Sequence, residues 1–358
     1  MPLLPYPLAP SPLPRLALTL GDPAGIGPEV ILKALAVQDW QDQATITVFG
    51  TADLMAQSLQ VLRRVPQVGP LADLEAIDWW EVPPPLPLAD LELGQPSAAT
   101  GAASFAYLDA AIAQTTAGHF DAIITGPIAK SAWHAAGHAY PGQTERLAEG
   151  AGVDGVAMAF VAQSPHTGWS LRTLLATTHI PLQQVPTTLT PALLTEKLDL
   201  LLTSLQQDFG LSHPRVAVAG LNPHSGEGGQ LGQEEAAYLI PWLEAQRRRY
   251  PQAQIDGPVP ADTLWVAPGQ AWFGTLPEAT AHDAYLALYH DQGLIPVKLM
   301  AFDRAVNVTL GLPWVRTSPD HGTAFDIAGQ GLANPSSFLA ALELALDLTR
   351  SRLAARTG

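Results

Sequence analysis

From Arg15 onward, short apolar runs alternate with longer stretches in which apolar residues recur every three or four positions. The first pattern is that of buried strands and the second that of amphipathic helices, so the alternation predicts an α/β fold around a mostly parallel sheet. Strands are predicted at 16–20, 45–49, 122–125, 155–160, 171–176, 216–219 and 285–289. Helices are predicted at 28–37, 98–117, 191–207, 233–248 and 335–352. Pro28 directly succeeds Gly27, and the fixed φ of proline suits a first helical position. The stretch 82–95, with its run of three prolines, reads as a connection.

The residues at the carboxyl ends of the strands organise the chain. Leu20 leads into Gly-Asp-Pro, Thr125 into Gly-Pro, Ala176 into Thr-Thr-His, Ala219 into Gly-Leu-Asn-Pro-His, and Leu288 into Tyr-His-Asp-Gln. Polar, turn-forming residues thus gather where open α/β sheets bind their ligands.

Composition narrows the chemistry. At 358 residues the chain exceeds the size at which one core stops growing, which predicts two lobes. A net charge of −15 argues against binding nucleic acid or anionic membranes, so an anionic ligand must be held by a few placed cations. The absence of cysteine removes disulfides, iron–sulfur clusters and thiolate metal ligands. Residues 1–14 lack the basic start and long apolar run of a signal or a membrane span and read as a loose tail. The expectation is a soluble, cytoplasmic protein.

Three of the ten histidines sit at strand ends: His179, His224 and His290. Neutral imidazole is the commonest ligand for zinc-like ions, and three protein ligands with an open position describe a catalytic rather than a structural site. Their shared placement predicts one divalent-metal site. Asp262 and Asp291 are candidates for orienting a ligand imidazole or accepting a proton. Shortly after His290 come Lys298, Asn307 and Arg316, set in largely apolar sequence. In an acidic chain this suggests an anion pocket, with Arg offering a planar fork and Lys a point charge. The turn carrying Gln143 and Thr144 could add polar contacts. There is no G-x-G-x-x-G after the first strand and no P-loop lysine. Two small-residue loops, 21–29 and 320–329, instead allow close backbone approach to a ligand.

Together these segments resemble the 4-hydroxythreonine-4-phosphate dehydrogenase family of pyridoxal phosphate biosynthesis, over a stretch running from about Leu16 to the end. The resemblance implies a homodimer with active sites at the subunit interface, no nucleic-acid or membrane partner, and one divalent ion (Zn, Mg or Co) per subunit. That ion is held by His179, His224 and His290, one of them from the partner chain. It implies that Gln143, Thr144, Lys298, Asn307 and Arg316 bind a small phosphorylated substrate. The two glycine loops are more distantly similar to those of isopropylmalate and isocitrate dehydrogenases. That similarity implies two α/β/α lobes around a mostly parallel sheet, with an active-site cleft between them. The expected division is a dinucleotide-binding lobe of 15–145 plus 301–358 and a metal and dimerisation lobe of 146–300. By the same similarity His321, Gly322, Thr323 and Ala324 hold the adenine side of NAD, Asp326 its ribose hydroxyls, and Asn334 lies nearby. A carboxylate at Asp326 favours NAD over NADP.

The implied reaction is NAD-dependent oxidation of 4-phosphooxy-L-threonine, followed by decarboxylation to 3-amino-2-oxopropyl phosphate. One position departs from the family pattern: Gly-His-Thr-Glu is here Gly-Gln-Thr-Glu, so Gln143 cannot become cationic or relay a proton near neutral pH. That leaves room for a four-carbon sugar-acid phosphate such as threonate or erythronate 4-phosphate. A zinc hydrolase, with the histidines activating water, is the competing reading from another class.

Overall fold

The computed structural model describes residues 13–87, 91–275, 277 and 280–357. The first twelve residues of the expected tail lie outside them. Contacts divide the chain into unit 1, of Met1–Pro141, Gly322–Pro335 and Ala345–Arg350, and unit 2, of Gly142–His321, Ser336–Leu344 and Ser351–Gly358.

Unit 1 is built from β1 (Arg15–Thr19), α1 (Gly27–Leu35), β2 (Thr45–Gly50), α2 (Ala52–Leu62), β3 (Asp78–Glu81), α3 (Ala98–Thr116), β4 (Ala122–Thr125) and α4 (Lys130–Ala135). Its strands run in the order β3-β2-β1-β4, all parallel. Leu16, Ala17 and Leu18 of β1 are fully buried, as expected of a parallel strand covered on both faces, which is why they form an unbroken apolar run. Helix α3 begins where Ser97 and Thr100 exchange side-chain to backbone hydrogen bonds, a reciprocal cap that satisfies two orphan donors.

Unit 2 contains α5 (Gln143–Ala151), β5 (Ala157–Gln163), β6 (Ser170–Leu175), α6 (Val185–Thr188), α7 (Pro191–Gln207), β7 (Arg215–Ala219), α8 (Ile240–Arg249), β8 (Gln254–Val259), α9 (Ala261–Leu264), α10 (Val266–Phe273), β9 (Ala284–Ala287), α11 (His290–Ala301), β10 (Val306–Leu310) and β11 (Val315–Pro319), and the last helix, α12 (Ser336–Thr357), is divided between the units. Its strands run β11-β10-β5-β6-β9-β7-β8. Strands β6, β9, β7 and β8 are parallel neighbours, whereas β5 pairs antiparallel with β6 and β10, and β10 antiparallel with β11. The chain is therefore α/β with a mostly parallel sheet, as its alternation predicts. No helix among the described residues is long and apolar enough to cross a membrane.

Two predicted elements differ from expectation near the histidines. The strand expected at 285–289 stops at Ala287, because the backbone N–H of Leu288 turns to a side chain instead of continuing the ladder. The helix expected at 233–248 starts as one π-helical turn, Glu235–Leu239, before α8. Such turns often accompany functional sites because they re-aim side chains.

Candidate active site

The ends of β6, β7 and β9 each carry one of the three expected metal ligands: His179 follows β6, His224 follows β7, and His290 opens α11 directly after β9. These strands are adjacent and parallel in the order β6-β9-β7, so their carboxyl ends share one edge of unit 2. The rings of His179 and His290 lie 5.5 Å apart between centroids. The Nδ1 atom of His290 is 2.8 Å from Oδ1 of Asp291, and that of His224 is 2.8 Å from Oε2 of Glu227. A carboxylate on Nδ1 fixes the ring and leaves Nε2 as the outward donor, the arrangement usual for metal-bound histidine. The bond to Glu227 and its charge, with a smaller contribution from Asp262, raise the His224 pKa above its ordinary value. Among the described residues of one chain, no three His, Asp or Glu side chains are grouped to hold a metal ion.

The His224 turn is locally strained. His224, Ser225, Gly226, Glu227 and Gly228 all have positive φ, making a left-handed turn in which three of five residues carry a side chain. Each such residue costs on the order of 1–2 kcal/mol, so the surrounding structure must impose the shape. Glu235, nearly fully buried, does much of this. One of its carboxylate oxygens accepts from the backbone N–H groups of Leu221 and Asn222 at 2.8 and 2.7 Å, and the other accepts from Nδ2 of Asn222. Ser225 Oγ donates to the carbonyl of Pro258. Sequence reasoning missed Glu227 and Glu235. Glu227, three residues beyond His224 in the same glycine-rich turn, was within reach of it. Glu235 was not, because its partners are backbone groups.

The expected anion-binding residues gather around β10, β11 and the start of α5. Arg316, 3% exposed, donates from Nη1 to Oγ1 of Thr309 at 3.0 Å. Burial lowers its pKa to about 10, opposed by the nearby charge of Glu145 in the first turn of α5. Gln143 and Thr144 open the same helix, whose N-terminus adds partial positive charge. Asn307 pairs with Ser318 across the β10–β11 ladder. Side chains alternate faces along a strand, so Asn307 and Thr309, and with Thr309 its partner Arg316, share one face. Asn307 Oδ1 is shielded from solvent and has no hydrogen-bond partner among the described residues. Lys298 stands on α11 with its ammonium ion-paired to the carboxylate of Asp320 and 5.5 Å from the Phe302 ring.

In unit 1 the two glycine loops meet. The backbone N–H of Ile26 donates to the carbonyl of Thr323 at 2.9 Å, and a Cβ on Gly25 would come within 2.8 Å of that oxygen, so only glycine fits there. Ala324 sits in the left-handed region at φ 40°, and Asp326 is exposed in the single 3-10 turn that comes next. Lys33 donates to the carbonyls of Gly331 and Ala333 and to Glu29, which also accepts from the N–H of Ala333. These bonds tie the stretch just before the exposed Asn334 onto α1. Gly322 is also exposed, whereas His321 belongs to unit 2. Asp22, fully buried behind the first loop, accepts from the N–H of Ala24 and the hydroxyl of Thr100. Burial outweighs both bonds and pushes its carboxyl pKa up to about 6.

Residues 42–345 match the family described as pyridoxal phosphate biosynthetic protein PdxA. A 4-hydroxythreonine-4-phosphate dehydrogenase from Synechocystis sp. is 62% identical over 341 residues, covering 95% of this chain and 97% of that protein. One of the same name from Nostoc sp. is 60% identical, covering 95% and 94%. The crystal structure of the Klebsiella pneumoniae 4-hydroxythreonine-4-phosphate dehydrogenase superposes with a TM-score of 0.79 at 35% identity, covering 96% of this chain and all of that one.

Proposed function

The chain belongs to the pyridoxal phosphate biosynthetic protein PdxA family, and on that premise we propose that it is a cytoplasmic, metal-assisted, NAD-dependent dehydrogenase of 4-phosphooxy-L-threonine. The observation that carries this reading is the placement of His179, His224 and His290 behind three adjacent parallel strands.

The donor set suits a divalent ion such as Zn or Co better than Mg, which prefers oxygen ligands. It comprises imidazoles only, and carboxylates occupy Nδ1 of His224 and His290. His179 and His290 are neighbours, and on this reading one of the three histidines comes from the partner of a homodimer. The exposed Ile295 and Leu299 on α11, the helix that starts at His290, with Phe302 just beyond its end, support such a dimer interface. When bound, the ion supplies Lewis acidity, easing loss of the alcohol proton and polarising the resulting ketone.

Arg316 and the N-terminal turn of α5, with Gln143 and Thr144, hold the phosphate, joined by Lys298 once substrate displaces Asp320 from it. Asn307 Oδ1 offers an acceptor to a substrate amino or hydroxyl group. His321, Gly322, Thr323, Ala324, Asp326 and Asn334 would hold NAD, which would supply the hydride acceptor, with the Asp326 carboxylate as the partner for its ribose hydroxyls. Asp291, beside Nδ1 of His290, and Asp262, whose charge acts on His224, are the candidate proton acceptors. The alcohol C–H leaves as hydride and its O–H as a proton. The resulting β-keto acid, 2-amino-3-oxo-4-phosphooxybutanoate, loses carbon dioxide to give 3-amino-2-oxopropyl phosphate. Gln143 keeps a second reading open, oxidation of threonate or erythronate 4-phosphate.

An NADH-production assay tests the proposal, with each phosphorylated substrate and with or without chelator. Turnover with 4-phosphooxy-L-threonine that chelator abolishes and divalent ion restores is expected. Turnover that persists in metal-depleted protein rules out the metal role, and preference for a sugar-acid phosphate selects the second reading.

A further inference from the structure

We infer that Gln292 is a positioning residue that fixes the three histidine-bearing segments relative to one another, with Thr177 as a second arm. The inference rests on the reading of the histidines as metal ligands. Gln292 stands two residues after His290 in the first turn of α11 and is 6% exposed. Its Oε1 accepts from the backbone N–H of Leu288 at 2.7 Å, and its Nε2 donates to the backbone carbonyl of Gly220 at 2.7 Å. Leu288 ends the segment entering His290, and Gly220 begins the turn leading to His224. The carbonyl of Leu288 accepts in turn from the hydroxyl of Thr177 at 2.8 Å and from its N–H at 3.3 Å. Thr177 lies two residues before His179. One residue's backbone, that of Leu288, is therefore linked to all three segments.

The chemistry of this position is narrow. A primary amide carries one acceptor and one donor group on a rigid trigonal centre, and both are used here on backbone groups that no strand partner satisfies. Methionine has a similar shape and neither function. Glutamate keeps the acceptor for Leu288 but sets a second oxygen against the carbonyl of Gly220. The left-handed turn at His224 makes the tie consequential, because a strained turn holds its shape only where its ends are pinned. Gln292 touches neither ligand atom nor substrate, so its effect must pass through the histidines.

The test is titration of the metal-stripped full-length protein with Co2+, read by calorimetry and by the visible d–d spectrum, alongside NAD binding and circular dichroism. Gln292→Met is expected to weaken Co2+ binding about 10- to 100-fold and alter the spectrum, while NAD affinity and circular dichroism stay as in the unmodified protein. Gln292→Glu is expected to fall between the two. Thr177→Val is expected to weaken Co2+ binding by a smaller factor that Thr177→Ser restores, and this pair carries the test if Gln292→Met does not fold. Co2+ affinity within twofold of the unmodified protein in Gln292→Met, or in Thr177→Val where that pair decides, with an unchanged spectrum, overturns the inference. Failure of the unmodified protein to bind Co2+ at all overturns the metal reading itself, and this inference with it.

Discussion

Replacing Asp22 by asparagine changes one buried atom type and isolates the effect of a carboxylate confined without a cation. Burial raises the Asp22 pKa from 3.8 to about 6, so the folded chain holds its proton more tightly than the unfolded chain does. Below pH 3.8 both states are protonated and the group is neutral in its effect. Between there and pH 6 the unfolded state ionises first, so stability falls as pH rises, and above pH 6 the deficit is constant. About two pH units at 1.36 kcal/mol each amount to about 3 kcal/mol. The asparagine carbonyl would still accept from the N–H of Ala24, and the Thr100 hydroxyl would turn wholly to the Ser97 carbonyl it already faces at 3.1 Å. At pH 8 Asp22→Asn is therefore expected to be more stable by about 3 kcal/mol in urea. With an unfolding entropy of roughly 0.75 kcal/mol/K for a chain of this length, the melting temperature rises by about 4 °C. The difference between the two proteins should shrink towards zero as pH falls from about 6 to about 4. Urea melts of both across that range and at pH 8 measure it. A gap that is absent at pH 8, or that does not change with pH, would show that the buried carboxylate is not penalised as argued.

Three further outcomes are expected from the geometry. Arg316→Lys replaces a buried planar fork by a point charge and should lower kcat/KM for the phosphorylated substrate about 100-fold or more, with NAD affinity unchanged; parallel kinetics and NAD titration check this. Gly25→Ala drives a methyl group against the Thr323 carbonyl at 2.8 Å; it should cost about 1–3 kcal/mol and raise the KM for NAD, and a loss of stability without a KM change would leave the loop with no cofactor role. Glu227→Gly relieves a left-handed residue and should raise stability by about 1 kcal/mol while weakening metal binding through the lost partner of His224, as thermal melts and Co2+ titration would record.

The parallel strands with apolar runs were legible in the sequence because burial on both faces leaves a continuous signal. Strand β3, Asp-Trp-Trp-Glu, carries no such run, and α11 hides its helical period behind Gly293 and Pro296. The histidines could be placed because each comes after a recognisable strand. Their supports could not: Gln292, Thr177 and Glu235 act on backbone groups, and a backbone acceptor or donor leaves no residue type to read. Lys33 and Glu29 escaped for a different reason. An i,i+4 pair on a helix reads as a solvated surface pair, whereas here both are largely buried and hold a loop 300 positions away.

The Lys33 clamp has a consequence for the order in which the protein comes into being. Lys33 leaves the ribosome early, but the carbonyls it binds, at Gly331 and Ala333, come only after the 180 residues from Gly142 to His321. At about 5–20 residues per second the 300 positions from Lys33 to Ala333 take roughly 15–60 s, during which α1 exists without its partner. The loop proposed for NAD is thus synthesised after the segments that carry the three histidines. A chain interrupted after Ser318 would carry all three histidines yet lack the loop proposed for NAD, and capture on an immobilised nucleotide is expected to retain only chains that extend through that loop.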